Sequence, residues 1–276
     1  MKKLQIILSS ILGALFFFAC DDYNEQEFRK PAGPEIEEDI AVTKNQNSQA
    51  VLLEEHTGWG CNNCPRAAEK LEDLKTAFGD KLVAVAIHAG TLAQPGKSNN
   101  YLDLRTDYGN TLADFFGINA RPAGIINRNN TMVQYSDWES VINSELSSNT
   151  HSINIGLGVK ESGNQIYIGT ELSFIRDVNS ELLLTLVVVE DDIVGVQRDG
   201  TEKIEDYVFK NVLRANPLIE MQINTEKLSA NETLKKNYAI KIDSNWNLDN
   251  CRVVAIVTDK NTGKVLQANE IFVRNS

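Results

Sequence analysis

Two cysteines separated by two residues, Cys61-Asn62-Asn63-Cys64, are the side chains of this sequence best placed to do chemistry. A C-x-x-C pair serves haem attachment, metal binding, a structural disulfide or thiol–disulfide exchange. Haem attachment needs His directly after the second cysteine, and Pro65 stands there. Structural zinc needs four ligands. With no second C-x-x-C, two of the three histidines would have to join, and His56 and His88 are the candidates. A permanent disulfide staple stays open as a reading, although so short a loop gains little entropically. Redox exchange fits best, because the pair lies between an apolar strand and a helix start. There the helix dipole and free N–H groups stabilise a thiolate, drawing a cysteine pKa from ~8.5 toward about 7 or lower. Cys61 is then the nucleophile and partly exposed, while Cys64, one turn on and shielded beneath it, resolves the mixed disulfide. That chemistry calls for no cofactor and no metal.

The elements around the pair follow from hydrophobic period. Ala50-Val51-Leu52-Leu53 reads as a buried strand. Beyond Cys64, Ala67, Leu71, Leu74 and Phe78 recur at four, three and four, which predicts a helix, and Gly79 ends it. Leu82 to Ile87 reads as a second strand, and strand–helix–strand implies a parallel pair with a right-handed crossover. Residues 89–111, rich in Gly, Asn and Ser, are long for a connector and read as a functional loop or small insertion. Thr111 to Phe116 reads as a short helix. Ala123 to Asn127 and Thr131 to Tyr135 read as a hairpin through Asn129-Asn130. Ser136 and Glu139 form a capping box for a helix with Trp138, Val141, Ile142 and Leu146 on one face. After His151 the texture changes to strands: Ile153 to Val159, Gln165 to Phe174, Leu182 to Val189, Tyr238 to Ile242, Val253 to Thr258 and Val265 to Val273. Only Ile204 to Leu213 has helical spacing. Short strands with polar turns predict an all-β immunoglobulin-like sandwich. Cys251, just before one strand, reads as a half-buried, inert thiol, and Trp138 and Trp246 as packing residues.

The N-terminus carries Lys2 and Lys3, then an apolar stretch that ends in Phe16-Phe17-Phe18-Ala19-Cys20. This is the layout of a secretory signal over residues 1–19, and its core is short of the about 20 apolar residues a spanning helix needs. A cysteine directly after such a core resembles a lipobox, which implies acylation of Cys20. A plain signal peptide, or an uncut anchor, is the alternative. Residues 20–48 are polar, with Pro31, Gly33, Pro34 and an acidic run from Glu35 to Asp39, and read as a lipidated flexible tether. Loss of Lys2 and Lys3 with the leader takes the net charge from −11 to −13. So acidic a chain is no nucleic-acid binder. The acidic start after Cys20 (Asp21, Asp22, Glu25) resembles export signals of surface lipoproteins in the Bacteroidetes group. Outer membrane anchoring is expected, with the periplasmic or cell-surface face open.

The order strand, Trp59-Gly60-Cys61-Asn62-Asn63-Cys64-Pro65, helix, strand resembles the first half of the thioredoxin fold. Phe116-Gly117-Ile118-Asn119-Ala120-Arg121-Pro122 resembles the segment leading to that fold's cis-proline loop. The resemblance covers residues 50–149 and implies that Pro122 is the cis-proline, exposing backbone to an incoming peptide. Trp59 and Arg121 are the accompanying substrate-binding candidates, with an exposed loop arginine the alternative for Arg121. It also implies a buried carboxylate that relays protons to the resolving cysteine. Glu55, six residues before Cys61, matches it, and Glu54 is equally available. Gly60 replaces the usual Trp before the first cysteine, and Asn62-Asn63 replaces the usual intervening pair. With Glu54-Glu55-His56-Thr57-Gly58-Trp59, Val187 to Gly195 and Lys264 to Ala268, the chain resembles the outer membrane protein twenty-eight family of lipoproteins. That implies a thioredoxin-like α/β domain over 49–149, followed by a β-sandwich over 150–276. Two functions follow: a cell-envelope thiol–disulfide oxidoreductase acting on envelope protein thiols or disulfides, or a surface binding or assembly lipoprotein using the fold as a non-catalytic scaffold.

Overall fold

The computed structural model describes residues 35–96, 101–129, 131–148, 150–224 and 226–274. The leader, Cys20 and the first part of the tether lie outside the described residues.

The chain runs β1 (Lys44–Asn45), β2 (Val51–Thr57), α1 (Cys64–Phe78), β3 (Leu82–His88), α2 (Asp107–Phe115), β4 (Ala123–Ile126), β5 (Met132–Val133) and α3 (Trp138–Ser147). Strands follow: β6 (Ile153–Ser162), β7 (Gln165–Phe174), β8 (Leu182–Glu190), β9 (Ile193–Asp199), β10 (Glu202–Phe209), β11 (Val212–Gln222), β12 (Thr233–Lys241), β13 (Cys251–Asp259) and β14 (Val265–Phe272). Every residue of β2, β3 and β8 is buried. Strands covered on both faces need continuous apolar runs, and Val51-Leu52-Leu53, Leu82 to Ile87 and Leu182 to Val189 supply them.

β2 and β3 pair in parallel across the α1 crossover, and β4 pairs antiparallel with β2 on its other side. α1 and α3 pack on one face, over Val51, Leu53, Leu82 and Ala84; α2 packs on the other, over Leu52, Val83, Val85 and Ile87. α1 buries Ala67, Leu71 and Leu74, as its spacing predicts, and closes at Gly79 with φ 55°. Trp138 opens α3 fully buried, its indole N–H donating to the Val133 carbonyl at 3.0 Å. That anchor displaces the capping box: the helix starts after Asp137 with no side-chain cap.

The sheet does not stop at residue 149. β11 lies between β3 and β8, so one eight-stranded sheet runs β14-β13-β8-β11-β3-β2-β4-β5. A second sheet, β1-β6-β7-β12, packs face to face on its C-terminal strands. Ile155, Leu157, Ile168 and Tyr238 meet Leu184, Leu186, Val253 and Ala255 there.

Two expectations are corrected. Ile204 to Leu213 is not helical: it forms β10 and the start of β11, turned at Asn211 (φ 56°). Its spacing fits a helix, but pairing with β9 and burial of Phe209 against Leu104 and Val212 decide the outcome. Of the flexible tether expected over 20–48, residues 35–48 are held against the fold. Glu35 bridges to Tyr238, the Ile40 side chain is buried, and β1 pairs with β6. Gly158 and Gly169, cross-strand partners, allow this close approach; a Cβ there would lie 1.9 Å from the Ala41 carbonyl oxygen and 2.4 Å from that of Ile40.

Candidate functional site

β2 delivers the chain to Thr57, and three residues later the cysteine loop begins. Gly58 has no room for a side chain, since a Cβ would lie 2.7 Å from the Leu92 carbonyl oxygen. Gly60 N–H donates to that same oxygen at 2.9 Å. The long loop after β3 is thus packed against the approach to the cysteines. Cys61 and Cys64 form a disulfide with an S–S distance of 2.06 Å and Cα atoms 5.4 Å apart. Cys64 is the first residue of α1, and Pro65 sits in the first turn, where a missing N–H costs nothing.

Cys61 was expected to be partly exposed. It is 3% exposed and Cys64 2%. The cover is the β9–β10 hairpin. Gln197 donates from its side-chain amide to the Cys61 carbonyl at 3.0 Å, Arg198 N–H to the Trp59 carbonyl at 2.8 Å, and Gly200 N–H to the Asn62 carbonyl at 3.0 Å. Gln197 carried no local signal, because the hairpin reaches the loop across 136 positions of sequence.

The pleat of β2 separates the two glutamates. Glu54 faces α2, where Arg128 binds both its carboxylate oxygens and also donates to the Tyr108 hydroxyl at 3.0 Å. Glu55 faces α1. It is buried, and its Oε1 has no hydrogen-bond partner among the described residues. Glu55, Cys64, His88, Gln197 and Tyr207 line a cavity of about 20 Å³, enough for about one water molecule. Burial, reinforced by the charge of Glu72, pushes the Glu55 carboxyl up to about 8. On its outer side Glu55 reaches a cleft of about 520 Å³ between α1 and the hairpin, lined also by Arg66, Glu69, Glu72 and Tyr207.

His88 lies edge-on to Phe209 with ring centroids 5.3 Å apart, and neither ring nitrogen has a partner among the described residues. Burial, with the Arg214 charge adding, pushes it down to about 3. His56 sits on the α2 face near Phe116 and is pushed down to about 3 by burial, then by Arg121 and Arg128. His56 therefore lies away from the cysteines, whereas His88 shares the small cavity that Cys64 lines. Among the described residues no group of three His, Cys, Asp or Glu side chains is arranged to hold a metal.

The Arg121–Pro122 bond is cis. Ala123, the next residue, pairs with His56, so the proline stands beside the end of β2 from which the cysteine loop springs. Arg121 is half-buried with its guanidinium against Gly90, where a Cβ would lie 3.1 Å from Nη2. No described hydrogen bond or ion pair joins it to the cysteines. Trp59 is tied down, its indole N–H donating to the Gln94 carbonyl and its ring edge-on to Tyr101 at 4.4 Å. Cys251 is fully buried rather than half-buried, and burial, with the Glu190 charge adding, pushes its thiol up to about 12.

A profile of the family described as Outer membrane protein Omp28 matches residues 109–276. No curated protein matches the chain. Among solved structures, HBP35 of Porphyromonas gingivalis superposes with a TM-score of 0.64 at 14% identity, covering 83% of this chain and 77% of that one. A protein from Agrobacterium tumefaciens superposes with a TM-score of 0.53 at 12% identity, covering 84% of this chain and 97% of its own. A domain of the outer membrane lipoprotein Omp28 from Porphyromonas gingivalis matches at 14% identity with a TM-score of 0.29, over 45% of this chain and 88% of that domain. At these identities the first two likenesses concern the fold alone.

Proposed function

The chain belongs to the outer membrane protein Omp28 family, and from that premise we propose that it is a thiol–disulfide oxidoreductase of the outer membrane, working through Cys61 and Cys64. Among the described residues no helix is long and apolar enough to cross a membrane. In this reading the signal over residues 1–19 is removed and lipid on Cys20 provides the attachment. Residues 49–149 act as a thioredoxin-like domain. The parallel β2–α1–β3 unit, the antiparallel β4–β5 pair and the cis Arg121–Pro122 bond support this. Residues 150–276 are then an immunoglobulin-like sandwich, supported by the face-to-face sheets.

The observation that carries the redox reading is the buried Glu55 carboxyl, whose Oε1 has no partner among the described residues and which lines a cavity with Cys64. A buried carboxyl oxygen without a partner costs stability, and a mere staple gives no reason to keep one there. A proton acceptor near pKa 8 is, however, well matched to a thiol of about 8.5. In the reducing direction the Cys61 thiolate attacks one sulfur of a client disulfide, bonding to it and releasing the other client sulfur as thiolate. Cys64 then gives its proton to the Glu55 carboxylate and attacks the Cys61 sulfur. The second client thiolate leaves and the Cys61–Cys64 disulfide remains. The client gains two electrons and this protein loses two; the oxidising direction is the reverse, starting from a client dithiol. Clients are envelope proteins with thiols or disulfides, and nucleic acid is not among them.

Burial of Cys61 favours the second reading, in which the fold is a scaffold for binding or assembly and the disulfide a staple. One experiment separates the two. In the reduced protein, Cys64→Ser is expected to trap envelope proteins as mixed disulfides, and alkylation near pH 6 of the wild type to label Cys61 ahead of Cys64 and Cys251. A reduction potential below roughly −300 mV with no trapped client establishes the staple.

A further inference from the structure

We propose that the β9–β10 hairpin is a clamp on the cysteine loop and that Gln197 is the residue that positions Cys61 within it; the proposal rests on the redox reading above. Three donors of one strand end, Gln197, Arg198 and Gly200, take the carbonyls of Cys61, Trp59 and Asn62. Two of these bonds run main chain to main chain, from Arg198 near the end of β9 and Gly200 in the turn after it, to carbonyls on either side of Cys61. The hairpin therefore holds the main chain of Cys61 and of the residues around it, and covers the sulfur that a client must reach. The client chemistry that fits is a polypeptide strand carrying a cysteine or a disulfide, which displaces the hairpin as it reaches the Cys61 sulfur.

The hairpin is built to move as a unit. β9 and β10 form a two-stranded sheet of their own, hydrogen-bonded as strands to neither larger sheet. Such a ribbon is only marginally stable alone. Its roots are left-handed residues, Asp192 at φ 59° and Asn211 at φ 56°, and the Asn211 N–H is tied to Asp191 Oδ1 at 2.6 Å. Its outer face leaves Val194 58% and Val208 44% exposed, one opposite the other. Base fixed and outer side unpacked, the ribbon lifts without breaking the eight-stranded sheet.

Gln197 is the side chain that latches it. Its amide is buried and holds two carbonyls, that of Cys61 at 3.0 Å and that of Arg198 at 2.9 Å, while the residue lines the cavity shared by Cys64 and Glu55. Removing that amide deletes neither main-chain donor nor main-chain acceptor, so any opening of those two bonds reports on the latch.

The test uses the full-length mature protein. In reduced Gln197→Ala, iodoacetamide labelling of Cys61 is expected to rise at least tenfold at each pH from 6 to 9, while Cys251 stays unlabelled. In the same variant, oxidised, the Arg198 and Gly200 amides are expected to lose at least tenfold in hydrogen-exchange protection, with Leu186 and Val188 of β8 unchanged. Gln197→Met keeps the bulk and lacks the amide donor, so the same two changes are expected there, whereas a mere packing role predicts them only in Gln197→Ala. Cys61 labelling within twofold of wild type, with both amides still protected, overturns the clamp. Should the variant not fold, the oxidised wild type decides. Arg198 and Gly200 exchanging at least tenfold faster than Val188 supports the clamp, and exchange as slow as Val188 overturns it. Client trapping by Cys64→Ser is read separately: faster labelling with no trapped client leaves the clamp standing and removes the redox reading.

Discussion

Glu55→Gln reads the buried carboxyl directly. In the folded protein burial, helped by Glu72, raises that group from 4.5 to about 8. In the unfolded chain it ionises near its ordinary value, so between pH 4.5 and 8 unfolding releases a proton. The associated stability is fully present below pH 4.5 and is lost as the pH rises through 8, at about 1.4 kcal/mol per pH unit inside the window. Across the whole window that is at most about 5 kcal/mol, and by pH 7 about 3 kcal/mol. His56 and His88 act in the opposite sense. Both are held near 3, so below about pH 6.5 the unfolded chain takes up protons that the native state refuses, and stability falls toward acid. The wild-type profile mixes the two effects, but the difference between wild type and Glu55→Gln cancels the histidines. Urea unfolding of both oxidised proteins at pH 5, 6, 7 and 8 measures it. The variant is expected to gain about 3 kcal/mol on the wild type between pH 5 and 7. If the offset stays flat within about 0.5 kcal/mol over that interval, Glu55 ionises normally and the proton-holding role drawn from its burial is wrong.

Two further changes test the surroundings of the site. Arg128→Met leaves the Glu54 carboxylate buried without its cation and is expected to cost about 3–5 kcal/mol in urea unfolding, most of it recovered in the double variant with Glu54→Leu. Gly158→Ala drives a methyl into the Ala41 carbonyl and is expected to free residues 35–48 from β6. Limited proteolysis is expected to cut that segment first, with about 1–3 kcal/mol of stability lost; an uncut segment refutes the crossing described.

The cysteine pair, its helix and its strands were legible because each is set by neighbours in sequence. Apolar runs make β2 and β3, the spacing Ala67, Leu71, Leu74 makes α1, and a glycine stops it. The family resemblance pointed to Pro122, which follows a cis bond. What escaped depends on distant partners. Local pattern cannot announce that Val212 pairs with Ala86 and so joins both halves in one sheet. The alternation of β2 sends Glu54 and Glu55 to opposite faces but does not say which face carries the cysteines. Ile204, Tyr207 and Val208 have helical spacing, and only β9 across from them makes a strand. Burial of Cys61 belongs to the same class, since its cover arrives from Gln197.

The root of the hairpin is also where the clamp meets the proton. Asn211 donates to Glu72 Oε1 at 2.9 Å and accepts from Lys75 at 2.7 Å and Arg252 at 2.8 Å, which welds the base of the ribbon to α1. Next to it, Lys210 Nζ stands 3.3 Å from Glu72 Oε2. Glu72 is the charge that, after burial itself, lifts the Glu55 pKa. When the ribbon lifts, the welded base holds Asn211, and Lys210, half-exposed on the ribbon side, is the first partner Glu72 loses. Loss of Lys210 pushes Glu55 up, but opening its cavity to water removes burial, the larger cause of its raised pKa, so on balance the carboxyl falls back toward its ordinary value. In the proposed redox reaction that is the moment when a client has displaced the hairpin and Cys64 must shed its proton. Admission of the client and ionisation of the proton acceptor are thus coupled through the cavity that the hairpin covers.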